Sequence, residues 1–286
     1  MLKIYFLIVT IILFISYIIL IYTINTSNYE YTSNINSKWI VIQYDDRDLT
    51  NHSFNKLITI NKEYCKLHNL DYVFINKNYD NYPPYWIKVK IIYDMIHNDK
   101  YNKYDGFIWI DSDAVFSNKH KNILSLINNN HSFYISPDPI TFLLSYITGR
   151  DLYKKDVKSY EIMIHRIAEI LNNLIPNELQ LIIGINLCVG VFMVKNNKIG
   201  KELINNWWNE YNPNAWSKKN NKWHTDGVWA GIDYEQGTFN RIIYPIYNNH
   251  VKILHSSVLS DINYNNSNSY VSHYMGNRKE IIDDHY

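Results

Sequence analysis

Short apolar runs alternate along the chain with stretches in which apolar side chains recur every three or four positions. The first kind reads as buried strand and the second as amphipathic helix. Trp39 to Gln43 is an apolar run that ends at Tyr44-Asp45-Asp46. Phe54 to His68 carries Leu57, Ile60, Tyr64 and Leu67 at helical spacing, and Tyr72 to Ile75 predicts a second strand. Tyr82-Pro83-Pro84-Tyr85 breaks the chain before a predicted helix from Trp86 to His97, after which Phe107-Ile108-Trp109-Ile110 reads as a third strand. Strand, helix, strand, helix, strand is the rhythm of a parallel α/β sheet. Val157 to Leu174 predicts an amphipathic helix, Leu187 to Val194 a further strand, and Ile199 to Tyr211 another helix. Asn212 to Lys222 and Asp261 to Ser269 read as polar loops. The apolar strands all lie upstream of Ser272, so the end of the chain is expected to add little to the core.

A separate pattern opens the chain. From Leu2 to Ile24 the only charge is Lys3, and an apolar stretch of about 20 residues suffices to cross a bilayer as a helix. Thr23-Ile24-Asn25-Thr26 lacks a small-residue cleavage pattern, which favours an uncleaved anchor over a signal peptide. Lys3 precedes the span and no cation follows it until Lys38. The positive-inside rule then leaves the N-terminus in the cytosol and the remainder lumenal. Sequons at Asn25, Asn51, Asn130 and Asn265 agree with that side. The expected layout is a signal anchor over 1–24, a stem over 25–38 and a globular domain over 39–286.

The third strand runs directly into Asp111-Ser112-Asp113. Two carboxylates at the C-terminal end of a buried strand suit a hard cation, and in open α/β sheets that end is where ligands bind. An Asp-Ser-Asp turn capping the next helix is the other reading. In an extended segment Asp111 and Asp113 would share a face and Ser112 would point away.

Composition narrows the field. A chain of 286 residues that is 47% hydrophobic and 15% aromatic can bury one large core or two small ones. Its net charge of +1, with Lys and Arg scattered, offers no basic stripe for a phosphate backbone, so nucleic acid is not an expected partner. Cys65 and Cys188 are the only cysteines. They build neither a disulfide framework nor a Cys-based zinc site and read as small buried side chains.

Read in order, Tyr85-Trp86-Ile87-Lys88, Trp109-Ile110-Asp111-Ser112-Asp113, Gly190-Val191-Phe192-Met193-Val194-Lys195-Asn196, Glu235-Gln236 and His273-Tyr274-Met275-Gly276 form an ordered set. In them the chain resembles nucleotide-sugar glycosyltransferases of the GT-A fold, closest to the Golgi family of galactosyl-, xylosyl- and mannosyltransferases. Glycogenin-like enzymes come second. The resemblance runs from about Trp39 to Lys279 and implies one Rossmann-like α/β GT-A domain.

It also implies roles. Asp111, Asp113 and His273 would be the ligands of Mn²⁺ or Mg²⁺, since carboxylate oxygens suit either ion and an imidazole tilts the choice towards Mn²⁺. Tyr44, Lys88, Asp111, Gly276 and Lys279 would contact the donor, the last two within an H-x-x-G-x-x-K spacing. A glycine there lets backbone approach the phosphates closely. Glu235 and Gln236 would be the catalytic pair beside the anomeric carbon, with Glu standing where the family has Asp, and Asp226 is a competing carboxylate. Cys188 stands where the family typically has a sugar-contacting Asn, for which Asn186 is a register-shifted substitute. Trp207 and Trp208 read as core, Trp216 and Trp223 as acceptor-side candidates, and His165 as structural.

The expected activity is metal-dependent transfer of a hexose or pentose to a glycan or glycoprotein acceptor, with retention. A UDP-sugar is preferred over GDP-mannose as donor. The expected location is a type II membrane protein of the Golgi or ER with a lumenal domain. A glycogenin-like glucosyltransferase and a non-catalytic, membrane-anchored domain that binds nucleotide sugar or glycan stay open as alternatives.

Overall fold

Three strands form where the apolar runs predict them: β1 (Trp39–Tyr44), β2 (Asp71–Ile75) and β3 (Gly106–Asp111). They are joined by helices α1 (Phe54–Leu67) and α2 (Ile87–Ile96). This architecture comes from a computed structural model that describes residues 37–47, 53–137, 187–227, 231–254, 256–261, 269–275 and 282, within one compact unit, Ser33–Tyr286. The predicted anchor, most of the stem, the Val157 helix with His165, Asn186, Trp229, Gly276 and Lys279 lie outside the described residues. Among the described residues no helix is long and apolar enough to cross a membrane.

The central sheet has six strands in the order β2-β1-β3-β6-β5-β9, with β5 at Phe133–Pro137, β6 at Leu187–Lys195 and β9 at Val251–Ile253. β1 runs parallel to both β2 and β3, as the βαβ rhythm predicts. β6 runs antiparallel to both β3 and β5. An apolar run fixes that a strand is buried on both faces, whereas its direction is set by long-range ladder bonds that hydropathy does not encode.

Alternation along the strands divides the core in two. Phe107 and Trp109 of β3 join Ile40 and Ile42 of β1 and the apolar side chains of α2 and α3 (Lys198–Asn209) on one face. Ile108 and Ile110 join Trp39, Val41, Tyr64 and Cys65 on the other. Each fully buried large aliphatic or aromatic side chain contributes roughly 1.5–3 kcal/mol, so these two layers carry the fold.

A third cluster corrects the expectation for the end of the chain. Tyr274 and Ile282 are both fully buried, packed with Phe54, Leu57 and Val115. Tyr274 also donates its backbone N–H to the Asp113 carbonyl at 2.8 Å. Tyr274 and Ile282 are therefore part of the core, two side chains too widely spaced to read as a strand.

The predicted loop from Asn212 is also more ordered than expected. Ser217–Lys219 (β7) and Lys222–His224 (β8) form a hairpin. Asn220 and Asn221 turn it, with φ of 51° and 60°, the left-handed pair that two-residue hairpin turns require and Asn tolerates.

Candidate active site

The Asp-Ser-Asp segment is not extended. β3 ends at Asp111, Ser112 and Asp113 make a turn, and β4 (Ala114–Phe116) begins immediately after. The two carboxylates therefore meet because the chain folds back, and not because they alternate on one strand. Asn61 secures this turn from α1. Its buried amide donates to the Ala114 carbonyl at 3.0 Å and to Gln43 Oε1 at 3.2 Å, and its oxygen accepts from the Phe116 N–H at 2.9 Å. Gln43 in turn donates to the Asp111 carbonyl at 3.1 Å.

Strand β10 (Val271–His273) pairs antiparallel with β4 and sets His273 opposite Ala114. That register carries the imidazole to the turn, where Nε2 lies 3.1 Å from Asp113 Oδ1. Ligand atoms of Asp111, Asp113 and His273 all fall within 4.8 Å of one another. Burial disfavours charge on His273, yet the Asp113 carboxylate more than offsets it and holds the pKa well above the ordinary value. The approach is possible because position 190 has no side chain. A Cβ there would sit 2.2 Å from His273 Cε1 and 3.1 Å from Asp111 Oδ2.

A second charged group adjoins the first. Lys88, at the start of α2, is 8% exposed and so is not a solvated helix lysine. Its Nζ donates to Asp111 Oδ2 at 3.0 Å and to the Val189 carbonyl at 3.4 Å, and lies 3.4 Å from Glu235 Oε1. Burial lowers the Lys88 pKa, but Asp111 and Glu235 together hold it above its ordinary value. Burial pushes the Glu235 carboxyl up while Lys88 pulls it back. Asp226, the competing carboxylate, is exposed, so Glu235 is the one built into this group. Gln236 follows Glu235 in α4 (Glu235–Thr238).

Three indoles hold the segment that carries Glu235. Trp86 and Trp216 both donate to the Asp233 carbonyl, at 2.8 and 3.1 Å, and Trp207 donates to the Glu235 carbonyl at 3.0 Å. Trp207 is core as expected. Trp216 is buried too, which corrects its reading as an acceptor platform: a polar loop surrounds it in sequence, but its ring packs inward against Tyr85 and Tyr234. Trp223, on β8, is half-buried. Of the two candidates it alone has ring surface left for a sugar.

Tyr44 ends β1, in register with Asp111 across the sheet. Its ring packs edge-on to Tyr79 at 5.6 Å, and burial, with the Asp46 carboxylate nearby, raises the pKa of its hydroxyl. The adjoining loop contains a pair that sequence reasoning missed. Arg47 donates through Nε to Asp45 Oδ1 at 2.8 Å, pairs through NH2 with the other carboxylate oxygen, and donates to Ser112 Oγ at 3.3 Å. The signal was the proximity of Asp45 and Arg47 to a strand end, which by itself does not set them apart from any polar loop.

A profile of the galactosyl transferase GMA12/MNN10 family matches residues 36–230, more than half of the chain. The chain belongs to this family. It is a glycosyltransferase, and its nucleotide-sugar GT-A character agrees with the sheet and site geometry above. No curated protein sequence matches it. Among solved structures it is similar to a glycosyltransferase involved in the glycosylation of the major capsid of PBCV-1. There the identity is 16%, the match covers 87% of this chain and 100% of that one, and the TM-score is 0.56. Mouse xyloside xylosyltransferase 1 in its apo form matches at 11% identity over 84% of this chain and 97% of that one, with a TM-score of 0.40. The first of these likenesses supports the fold, and the second is too distant to add to it.

Proposed function

We propose that the domain is a metal-dependent, retaining transferase that moves a hexose or pentose from a nucleotide-sugar donor, a UDP-sugar by preference, to a glycan or glycoprotein acceptor. The observation that carries this is the convergence of Asp111 and Asp113 with His273, which lies 160 positions beyond Asp113. Two carboxylates and one imidazole fit Mn²⁺ or Mg²⁺, with the nitrogen favouring Mn²⁺. A bound ion there would offset charge accumulating on the leaving diphosphate without moving a proton.

The chain's own groups do the rest. Lys88 orients Asp111 through a 3.0 Å hydrogen bond, and its second contact holds Glu235 close by. Glu235 brings negative charge to the side of the site where positive charge develops at the anomeric carbon in glycosyl transfer. The register of Tyr44 with Asp111 across the sheet supports a donor contact there. The same reading puts the domain on the lumenal side of a Golgi or ER membrane behind a Leu2–Ile24 span. Protection of the domain from added protease in intact microsomes is the expected result, and digestion of everything after Lys38 contradicts it.

The activity is tested by incubating the protein with a panel of nucleotide sugars in Mn²⁺ and in EDTA, and reading nucleoside diphosphate release. One donor should be turned over in Mn²⁺. Chelation or Asp113→Ala should lower that rate by about 10³-fold, the loss expected when several kcal/mol of leaving-group stabilisation goes. Undiminished release in EDTA sinks the metal reading. A folded protein that binds a donor and never turns it over favours a binding domain.

A further inference from the structure

Cys188 is a departure from the family pattern that the reading above does not use, and its placement is specific. It is 2% exposed, and its Sγ lies 3.9 Å from His273 Nδ1, on the side of the ring away from Asp113. One imidazole therefore meets a thiol at one nitrogen and a carboxylate at the other.

The backbone is shaped to bring the thiol there. Along β5 and β6, Ile135 faces Phe192 but the next residue, Ser136, faces Cys188. Residues 189–191 thus have no partner on β5, a bulge of the kind that re-aims side chains next to active sites. Asn240 fixes the start of β6 by accepting from the Leu187 N–H at 2.7 Å and donating to the Leu187 carbonyl at 3.1 Å. Gly190, within the bulge, leaves the space that the ring edge fills.

A neutral imidazole carries one N–H and one lone pair, and the nitrogen that holds the proton is set by the hydrogen bond it makes. A metal-ligating histidine usually donates its other N–H to an outer partner that fixes ring and tautomer. We infer that Cys188 is the positioning residue of His273: its sulfur accepts the Nδ1–H and so presents the Nε2 lone pair to the space shared with Asp113 and Asp111. This rests on the metal reading of the site. It also explains why a thiol next to the site does not make it a soft-metal centre. The sulfur is at the far nitrogen, so an ion held at Nε2 has only oxygen and nitrogen donors from these residues.

The test is Mn²⁺ affinity of the purified full chain, read from the electron paramagnetic resonance of free aquo-Mn²⁺ for Cys188→Ala, Cys188→Val and Cys188→Ser. Thermal unfolding of each variant shows that it is folded. Alanine removes the acceptor and leaves space, whereas valine removes the acceptor and fills it. Both should bind Mn²⁺ about 10-fold or more weakly, the usual scale for losing an outer partner of a ligating histidine. Serine keeps an acceptor and should stay within a few-fold of wild type. If Cys188→Ala or Cys188→Val binds Mn²⁺ like wild type, or if Cys188→Ser is as weak as they are, the positioning role is wrong. A wild-type protein that binds no Mn²⁺ removes the metal reading, and the inference falls with it. The two failures are therefore told apart by the wild-type titration.

Discussion

The two charged groups of the site share Asp111 but are built on opposite plans. In the first, Lys88 and Glu235 are both buried and lie 3.4 Å apart, so Glu235 has a counter-charge with nothing bound. Asp111, Asp113 and His273 bring two carboxylates to one imidazole, so that group carries surplus negative charge; Asp113 and His273 are buried, and the Asp111 side chain is 26% exposed. A buried charge without a partner costs several kcal/mol, whereas a partly hydrated one costs far less. The Lys88–Glu235 contact is therefore one on which the stability of the domain depends, while the second group has charge left over for a cation. Asp111 is where one meets the other.

Removing one partner from each group should expose that difference. Lys88→Met strands Glu235 and Asp111 around an apolar side chain and should lose roughly 3–5 kcal/mol of stability in a denaturant titration. Adding Glu235→Gln to that variant should restore part of it, because one of the stranded charges is gone. Asp113→Asn should change stability far less in metal-free protein. A Lys88→Met protein within about 1 kcal/mol of wild type, the scale of an ordinary surface pair, would erase the contrast.

A smaller effect sharpens the comparison at the rim, where Asp45 and Arg47 form a pair that is self-balanced yet half open to water. Burial alone would raise the Asp45 carboxyl, but its bonds to Arg47 hold it below the ordinary value of 3.8. A depressed carboxyl contributes stability that is complete above its unfolded pKa and is lost as pH falls through the folded one. Wild type should thus exceed Asp45→Asn by about 1 kcal/mol or less near neutrality. The two should converge in acid below pH 3.8, as read from thermal midpoints across pH. A gap that persists in strong acid would assign the effect to packing.

What the sequence revealed of all this follows the distance over which each feature is encoded. The Asp111-Ser112-Asp113 turn and its strand are contiguous, so period and charge disclose them together. Lys88 was ambiguous as a single residue, but Ile87, Val89, Ile91, Ile92, Met95 and Ile96 are all buried. The polar face of this helix is Lys90 and Asp94, which pair at i, i+4, whereas Lys88 shares its side of the helix with Ile92 and Met95 at i+4 and i+7, the buried side. Asn61 carried a similar signal, a polar residue within the Leu57, Tyr64 stripe of α1, and it proves to be the brace under the turn. Trp216 was misread because neighbouring polarity says where a loop runs, while a single indole is placed by a carbonyl that only the folded chain supplies. The direction of β6 and the meeting of Cys188 with His273 have no local signature at all.

Asp113 and His273 stand 160 positions apart, and that separation orders events at the ribosome. Contacts so remote in sequence are among the slowest to close, and domains emerge N-terminal end first. While the chain is being made, β4 is held by Asn61 from the segment already synthesised, and the strand that will pair with it does not yet exist. The imidazole arrives with β10, together with Tyr274, whose ring packs in the core cluster beside β4. A chain that stops before β10 has Asp111 and Asp113 but not the imidazole that meets them, and it also lacks Tyr274 against Phe54, Leu57 and Val115.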